Sequence, residues 1–242
     1  MRRLSRRRIR AIIAKELQMY RRTASIVVTM SIIPLIFLIQ PVVAALTTSS
    51  AAALSIRHHH ELLYMLAIPA LVPALLAAYA VVGERQQGTL EPVLTTPLRR
   101  EELILAKALA VLAPAVVLSY VIFAIFVAIV ALFSHPGVSS ALIRGSDVLA
   151  QVIFTPLIAS WSIWIAMAIS TRATDIRVAQ QLSVLASLPT IALTTLIAFN
   201  VLHPTLGLGF AMGIALLILN RVAWRLVSML FDRERLIVGT RT

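Results

Sequence analysis

The chain has 242 residues, of which 60% are hydrophobic and 13% charged, and its mean hydropathy is +0.92. A soluble domain of this length needs far more polar surface, so the composition excludes that class and leaves lipid as the solvent of its outer faces. The net charge is +12, and the absence of cysteine removes disulfides, thiolate metal sites and cysteine nucleophiles.

The chain opens with a run dense in arginine, in which Ile9, Ile12, Ile13, Leu17 and Tyr20 recur on one helical face. This pattern predicts a basic amphipathic helix over residues 1–23, lying in the membrane interface and held by anionic lipid. The alternative is a disordered basic tail that only sets topology. The first apolar run begins near Ala24, is long enough to cross a bilayer, and lacks a small-residue cleavage site. It reads as a first span and not as a cleaved signal.

Six apolar runs follow, near 24–46, 62–82, 105–133, 149–170, 179–201 and 205–227. Each suffices to cross the roughly 30 Å hydrocarbon layer as a helix, the form that satisfies its own backbone. The third is overlong, so its first turns, with Glu101, Glu102 and Lys107, are placed in the interface. The fifth and sixth are separated only by Asn200 to Pro204 and form a tight helical hairpin. Pro34, Pro41, Pro69, Pro73, Pro114, Pro156 and Pro189 lie in or beside the spans, where neighbouring helices can satisfy the carbonyls they free.

Six spans put both termini, the 83–104 loop and the 171–178 loop on one side. Every lysine and arginine except Arg57 and Arg144 falls on that side, which is therefore read as cytoplasmic. The basic excess is topological, and a nucleic-acid partner is not needed to explain it. The expected organisation is an interfacial helix at 1–23, a membrane domain at 24–227 and a cytoplasmic tail at 228–242. The expected location is the cell (plasma) membrane, with multiple passes and both termini cytoplasmic.

Few residues carry chemistry. Gly83 and Gly88 have the spacing of a phosphate-binding loop, but Thr89 and Leu90 follow where lysine and a hydroxyl residue are required, so ATP is not bound there. His58, His59, His60 and Glu61 are good metal-ligand types, but consecutive helical side chains diverge, and an interfacial polar turn is the better reading. Ser160 and Ser162 have no base nearby in sequence and are expected to bond to their own helix or a neighbour. Gly209 and Gly213 allow close helix approach.

No span has a carboxylate away from its ends, where a charge costs roughly 2.5–3.5 kcal/mol, and this weighs against an ion-coupled carrier. Uncharged polar side chains remain as substrate-path candidates: Gln40, Gln151, Trp161, Trp164, Thr190, Thr194, Thr195 and Asn200. Interfacial anchoring explains the tryptophans equally well. The sequence assigns the chain no catalytic residue, metal site or cofactor of its own.

The segment 83–102 is a charged island between two apolar runs. Gly88 and Thr89 can start a helix, with Thr89 as cap and Glu91 near its positive end, and Pro97 ends it. Its pattern is Glu84-Arg85-x-x-Gly88-Thr89-Leu90-Glu91-x-x-Leu94-x-x-Pro97-x-x-Arg100-x-Glu102. This resembles the cytoplasmic signature of ABC type-2 transporter permeases. Lys15-Glu16-Leu17, Arg172-x-x-Asp175-x-Arg177-x-x-Gln180-Gln181 and Phe231-Asp232-Arg233-Glu234-Arg235-Leu236 fit the same family. Gln86 departs from it where a second acid is usual, and Ala106 stands where glycine is usual.

The resemblance implies an all-α integral membrane protein with six spans, an N-terminal interfacial helix and a cytoplasmic coupling helix between spans 2 and 3. It further implies an exporter subunit that is not itself an enzyme. Its partners would be a second permease copy and two ATP-binding cassette subunits that hold ATP and magnesium. Glu84, Arg85, Gly88, Thr89, Leu90, Glu91, Leu94, Pro97 and Arg100 would form the ATPase-coupling surface. An amphipathic drug or lipid would be the cargo easiest to accommodate. An ATPase-independent carrier or channel, and a non-transporting membrane scaffold, are the alternative readings.

Overall fold

A computed structural model describes residues 5–49, 60–86, 99–135, 137–203 and 205–230. Every regular element among them is helical. α1 is Arg6–Arg22, α2 Ala24–Thr47, α3 Glu61–Tyr64, α4 Ala67–Gln86 and α5 Arg100–Phe133. A short α6 (Val138–Leu142) precedes α7 (Gly145–Arg172), α8 (Ile176–Ala198) and α9 (Leu206–Leu230). Among the described residues, six segments are long and apolar enough to cross a membrane: Met30–Thr47, Leu62–Glu84, Glu101–Phe133, Gly145–Arg172, Ile176–Ala198 and Leu206–Leu230.

These are the six predicted runs with shifted bounds: the spans at Glu101, Gly145 and Ile176 start earlier than predicted, the one at Met30 starts later, and the fifth ends earlier, at Ala198. α5 begins at Arg100 because the Glu102 carboxylate, three residues in, accepts the Arg99 backbone N–H at 3.3 Å. α8 begins where the Asp175 side chain accepts the Arg177 N–H at 2.6 Å. The α8–α9 hairpin turns at Asn200, whose φ of +57° is the left-handed conformation that asparagine tolerates at a helix end.

α4 is the axis of the bundle. Its residues are buried along nearly their whole length, with α7 and α8 as principal neighbours and α2 and α5 on its other flank. α9 is peripheral and buries only Ala223 and Val227. The outward faces of α2, α8 and α9 are lined by exposed leucine, isoleucine and valine, as a lipid-facing surface requires.

Pro156 in α7 leaves the Val152 carbonyl without its usual donor, and the Tyr120 hydroxyl of α5 donates to it at 2.8 Å. α1 is the predicted amphipathic helix, but its apolar stripe has a different partner. Ile12, Ile13, Leu17 and Tyr20 pack against the bundle core, chiefly on α5 and α2, while Arg6, Arg7, Arg10, Arg21 and Arg22 face outward.

Candidate functional site

At one end of the bundle, three elements bring four charges together. The last turn of α4 supplies Glu84, the second turn of α5 supplies Lys107, and the middle of α1 supplies Lys15 and Glu16. Lys107 Nζ lies 2.8 Å from Glu84 Oε2 and 3.1 Å from Glu16 Oε1. Lys15 Nζ lies 3.1 Å from Glu84 Oε1 and 3.9 Å from Glu16 Oε1. Lys107 is fully buried, Glu16 is 1% exposed and Glu84 3%. A buried ammonium survives only if it is paired and hydrogen-bonded, and two carboxylates meet that need.

The cluster sums to zero charge, with Lys15 as its only solvent-facing member. Tyr20, one turn along α1 from Glu16, is buried beside it. Burial, reinforced by the Glu16 and Glu84 carboxylates, raises its phenol well above the ordinary value of 10.0.

A second contact fixes the start of α1. Glu102 Oε1 accepts the Ser5 backbone N–H at 2.8 Å, and Arg8 Nη1 is 3.6 Å from Oε2. α1 is thus held to α5 at Glu102 and to both α4 and α5 at Lys107. Just inside this end, the Ser170 hydroxyl of α7 donates to the Ala78 carbonyl at 2.6 Å and accepts the Val82 N–H at 3.1 Å. Those two α4 groups are the i and i+4 members of one helical turn. Gln86 reaches in the same direction, donating to the Thr174 carbonyl at 3.3 Å.

The opposite end holds a separate polar group. His60 Nδ1 lies 2.8 Å and 3.0 Å from the two Asp147 oxygens, Arg144 Nη1 lies 3.4 Å from His60 Nε2, and the His60 backbone N–H donates to the Ala198 carbonyl at 2.7 Å. No cluster of three metal-ligand residues occurs among the described residues, and His58 and His59 lie outside them.

Glu84 is the one predicted coupling residue whose side chain is described, and it sits at the centre of the charge cluster. Arg85 lies in the last turn of α4 and Arg100 opens α5. Gly88, Thr89, Leu90, Glu91, Leu94 and Pro97 lie outside the described residues, as does the motif from Phe231 to Leu236.

The path candidates do not all converge. Gln40 is exposed on α2. Trp164 packs edge-on against Trp224 of α9, with ring centroids 5.2 Å apart, and Trp161 is half-buried. Asn200 forms the hairpin turn. Gln151 and Thr194 are both buried, but Gln151 and Trp164 are separated by roughly 20 Å along α7.

As expected, no carboxylate among the described residues lies away from a span end, but three at the ends are buried: Glu84, Glu102 and Asp147. All three lie at span ends, covered by segments distant in sequence, and each already faces a cation or an imidazole. Of the two serines, Ser160 bonds its own helix at the Pro156 carbonyl, 2.7 Å away. Ser162 is buried with no partner among the described residues.

The family model described as "ABC-2 family transporter protein" matches residues 10–224. No curated protein matches the chain. With six helices fit to span a membrane and a family match over nearly all of its length, the chain belongs to the ABC-2 family of transporter proteins, as a membrane-spanning permease.

Proposed function

We propose that this permease is the transporting subunit of an ATP-driven exporter. It works as a pair of permease copies with two separate ATP-binding cassette subunits on the α1 side, which is cytoplasmic. ATP and magnesium belong to those partners. The segment from Glu84 to Pro97 is the surface they push, with Leu90 and Leu94 supplying apolar contact and Glu91 and the neighbouring charges setting specificity. Anionic lipid meets the outward arginines of α1. An amphipathic compound is the cargo class that fits spans without central charge.

The observation that supports this reading is the closed charge cluster. The helices entering and leaving the 87–98 connection are α4 and α5, and the cluster ties both to α1 directly at that connection. A connection that only turned the chain around would need no such anchorage. A connection that receives force must be rooted in spans that move together.

The test uses the chain with the ATPase encoded beside it, co-purified and reconstituted in liposomes. Gly88→Pro and Glu91→Arg leave the buried cluster intact. They are expected to abolish ATP-coupled transport and weaken ATPase association while the melting temperature stays at the wild-type value. Unchanged coupled transport in both variants would refute the role of the segment. No association with any cassette ATPase would refute the exporter reading.

A further inference from the structure

Buried polar side chains gather on α7 and α8. On α7, Gln151, Thr155 and Ser162 are exposed by only 1%, 0% and 2%. Spacings of four and seven residues keep them on one helical face. Ile158 shares that face and packs with Leu66, Ala70, Ile197 and Ala198, so the stripe looks into the junction of α4, α7 and α8. α8 contributes buried Ser183, Ser187 and Thr194, each satisfied by a carbonyl of its own helix at 2.7 to 2.9 Å. Apart from Glu84 at its end, the buried positions of α4 are apolar, Ala67, Ala70, Ala74, Ala77 and Ala78 among them, and offer no side-chain hydrogen-bonding group.

Gln151 Oε1, Thr155 Oγ1 and Ser162 Oγ have no hydrogen-bond partner among the described residues. A buried polar atom without a partner destabilises the fold, and leucine, valine or alanine would fill the same space without that penalty. Three on one face form a stripe that no described protein group satisfies and that water or a hydrogen-bonding solute would satisfy.

Specific polar contacts close both ends of this junction. Away from α1, His60 ties α3 to Asp147 of α7 and to the last turn of α8. To donate to the carboxylate, Nδ1 carries the proton, which leaves Nε2 to accept from Arg144. Towards α1, the Ser170 hydroxyl bridges the Ala78 carbonyl and the Val82 amide.

We infer that the α4–α7–α8 junction is a closed hydrophilic passage for water and small uncharged hydrogen-bonding solutes, latched on the face away from α1 by His60 and Asp147. Its use in transport rests on the exporter reading, but the passage itself does not.

The absence of cysteine allows a direct test. Thr155→Cys, Ser162→Cys and Ser187→Cys are made singly, with Ala115→Cys of α5 as a buried control outside the junction. Labelling by N-ethylmaleimide in lipid nanodiscs is compared with the latch intact and with it cut by His60→Ala or Asp147→Ala. Cutting the latch is expected to speed labelling at the three junction positions about tenfold, the change that loss of roughly 1.4 kcal/mol of closure gives. Ala115→Cys should be unaffected.

Unchanged labelling at the junction in both latch variants would overturn the passage. An equal rise at Ala115→Cys would also overturn it, because His60 and Asp147 would then hold the whole fold. Labelling that responds to the latch but not to ATP in the reconstituted complex would keep the passage and remove the ATP-driven reading.

Discussion

Lys107→Met is the most severe test of the charge cluster. Methionine keeps most of the apolar stem and removes the ammonium that lies 2.8 Å from Glu84 and 3.1 Å from Glu16. Two buried carboxylates would then share Lys15, whose side chain is 51% exposed. Truncating one member of a buried ion pair costs about 3–5 kcal/mol, because the stranded charge stays in a poor solvent. For a chain of this length, each kcal/mol moves the melting temperature by about 2–4 °C, which predicts a fall of roughly 6–20 °C.

Lys15→Met removes a half-exposed partner and should cost only about 0–1 kcal/mol. Intrinsic tryptophan fluorescence gives the melting temperature, since Trp161, Trp164 and Trp224 lie within the bundle. Tryptic cleavage at the arginines of α1 reports whether that helix has lifted. The expected order is a large fall with α1 released for Lys107→Met, and little change for Lys15→Met.

Replacing Glu16, Glu84 and Lys107 together by Leu, Leu and Met removes every stranded charge. Such replacements are often neutral or stabilising. The triple variant should recover the melting temperature and, on the proposed function, still fail to couple transport to ATP. A Lys107→Met protein melting within about 2 °C of wild type would refute the argument that α1 is held through this ammonium.

Other substitutions probe single contacts. Tyr120→Phe strips the donor from the Val152 carbonyl that Pro156 leaves unpaired, at a cost of about 1–3 kcal/mol. In a Pro156→Ala background the restored backbone N–H should shrink that cost to a fraction, and a double-mutant cycle measures the difference. Ser170→Ala should cost only about 0.5–1.5 kcal/mol, because Ala78 and Val82 can pair with each other. Its signature is altered amide exchange at Val82 in place of a lost fold. Tyr20 has a raised folded pKa, so its contribution is fully present below the ordinary value of 10.0 and is lost as pH rises towards the folded value. Alkalinisation should therefore release α1 above pH 10.0, with a late-titrating tyrosinate absorbance that Tyr20→Phe abolishes.

The spans were legible because a bilayer imposes a length and a composition on any helix that crosses it. The stripe Ile9, Ile12, Ile13, Leu17 and Tyr20 was legible as a helix face, but not its partner, since periodicity does not distinguish lipid from a neighbouring helix. Glu84 stood out through its motif. Lys107 read as an interfacial charge and Glu16 as part of the Lys15-Glu16-Leu17 motif, and their pairing across 91 positions follows only from where α1 docks. His60 and Asp147 are 87 residues apart and meet for the same reason. Thr155 carried no signal at all. A lone threonine in an apolar run commonly bonds its own helix, and only its complete burial without a partner marks it out.

The length of α5 explains why the charges can be buried at this end. Thirty-four residues of helix extend roughly 51 Å, well beyond a hydrocarbon layer of about 30 Å. The surplus carries Glu102 and Lys107, and α1 lies along it with its apolar stripe turned inward. α4 and α7 both run away from the His60 end; Ser170 bridges them at one end, and at the other His60, at the start of α3, holds Asp147 of α7. α7, held to α4 at one end and to the segment leading into α4 at the other, cannot slide along it without breaking those bonds. A displacement applied where Glu84 leaves α4 therefore carries α7 with it. The first contacts it strains at the far end are those that His60 makes with Asp147 and with the end of α8.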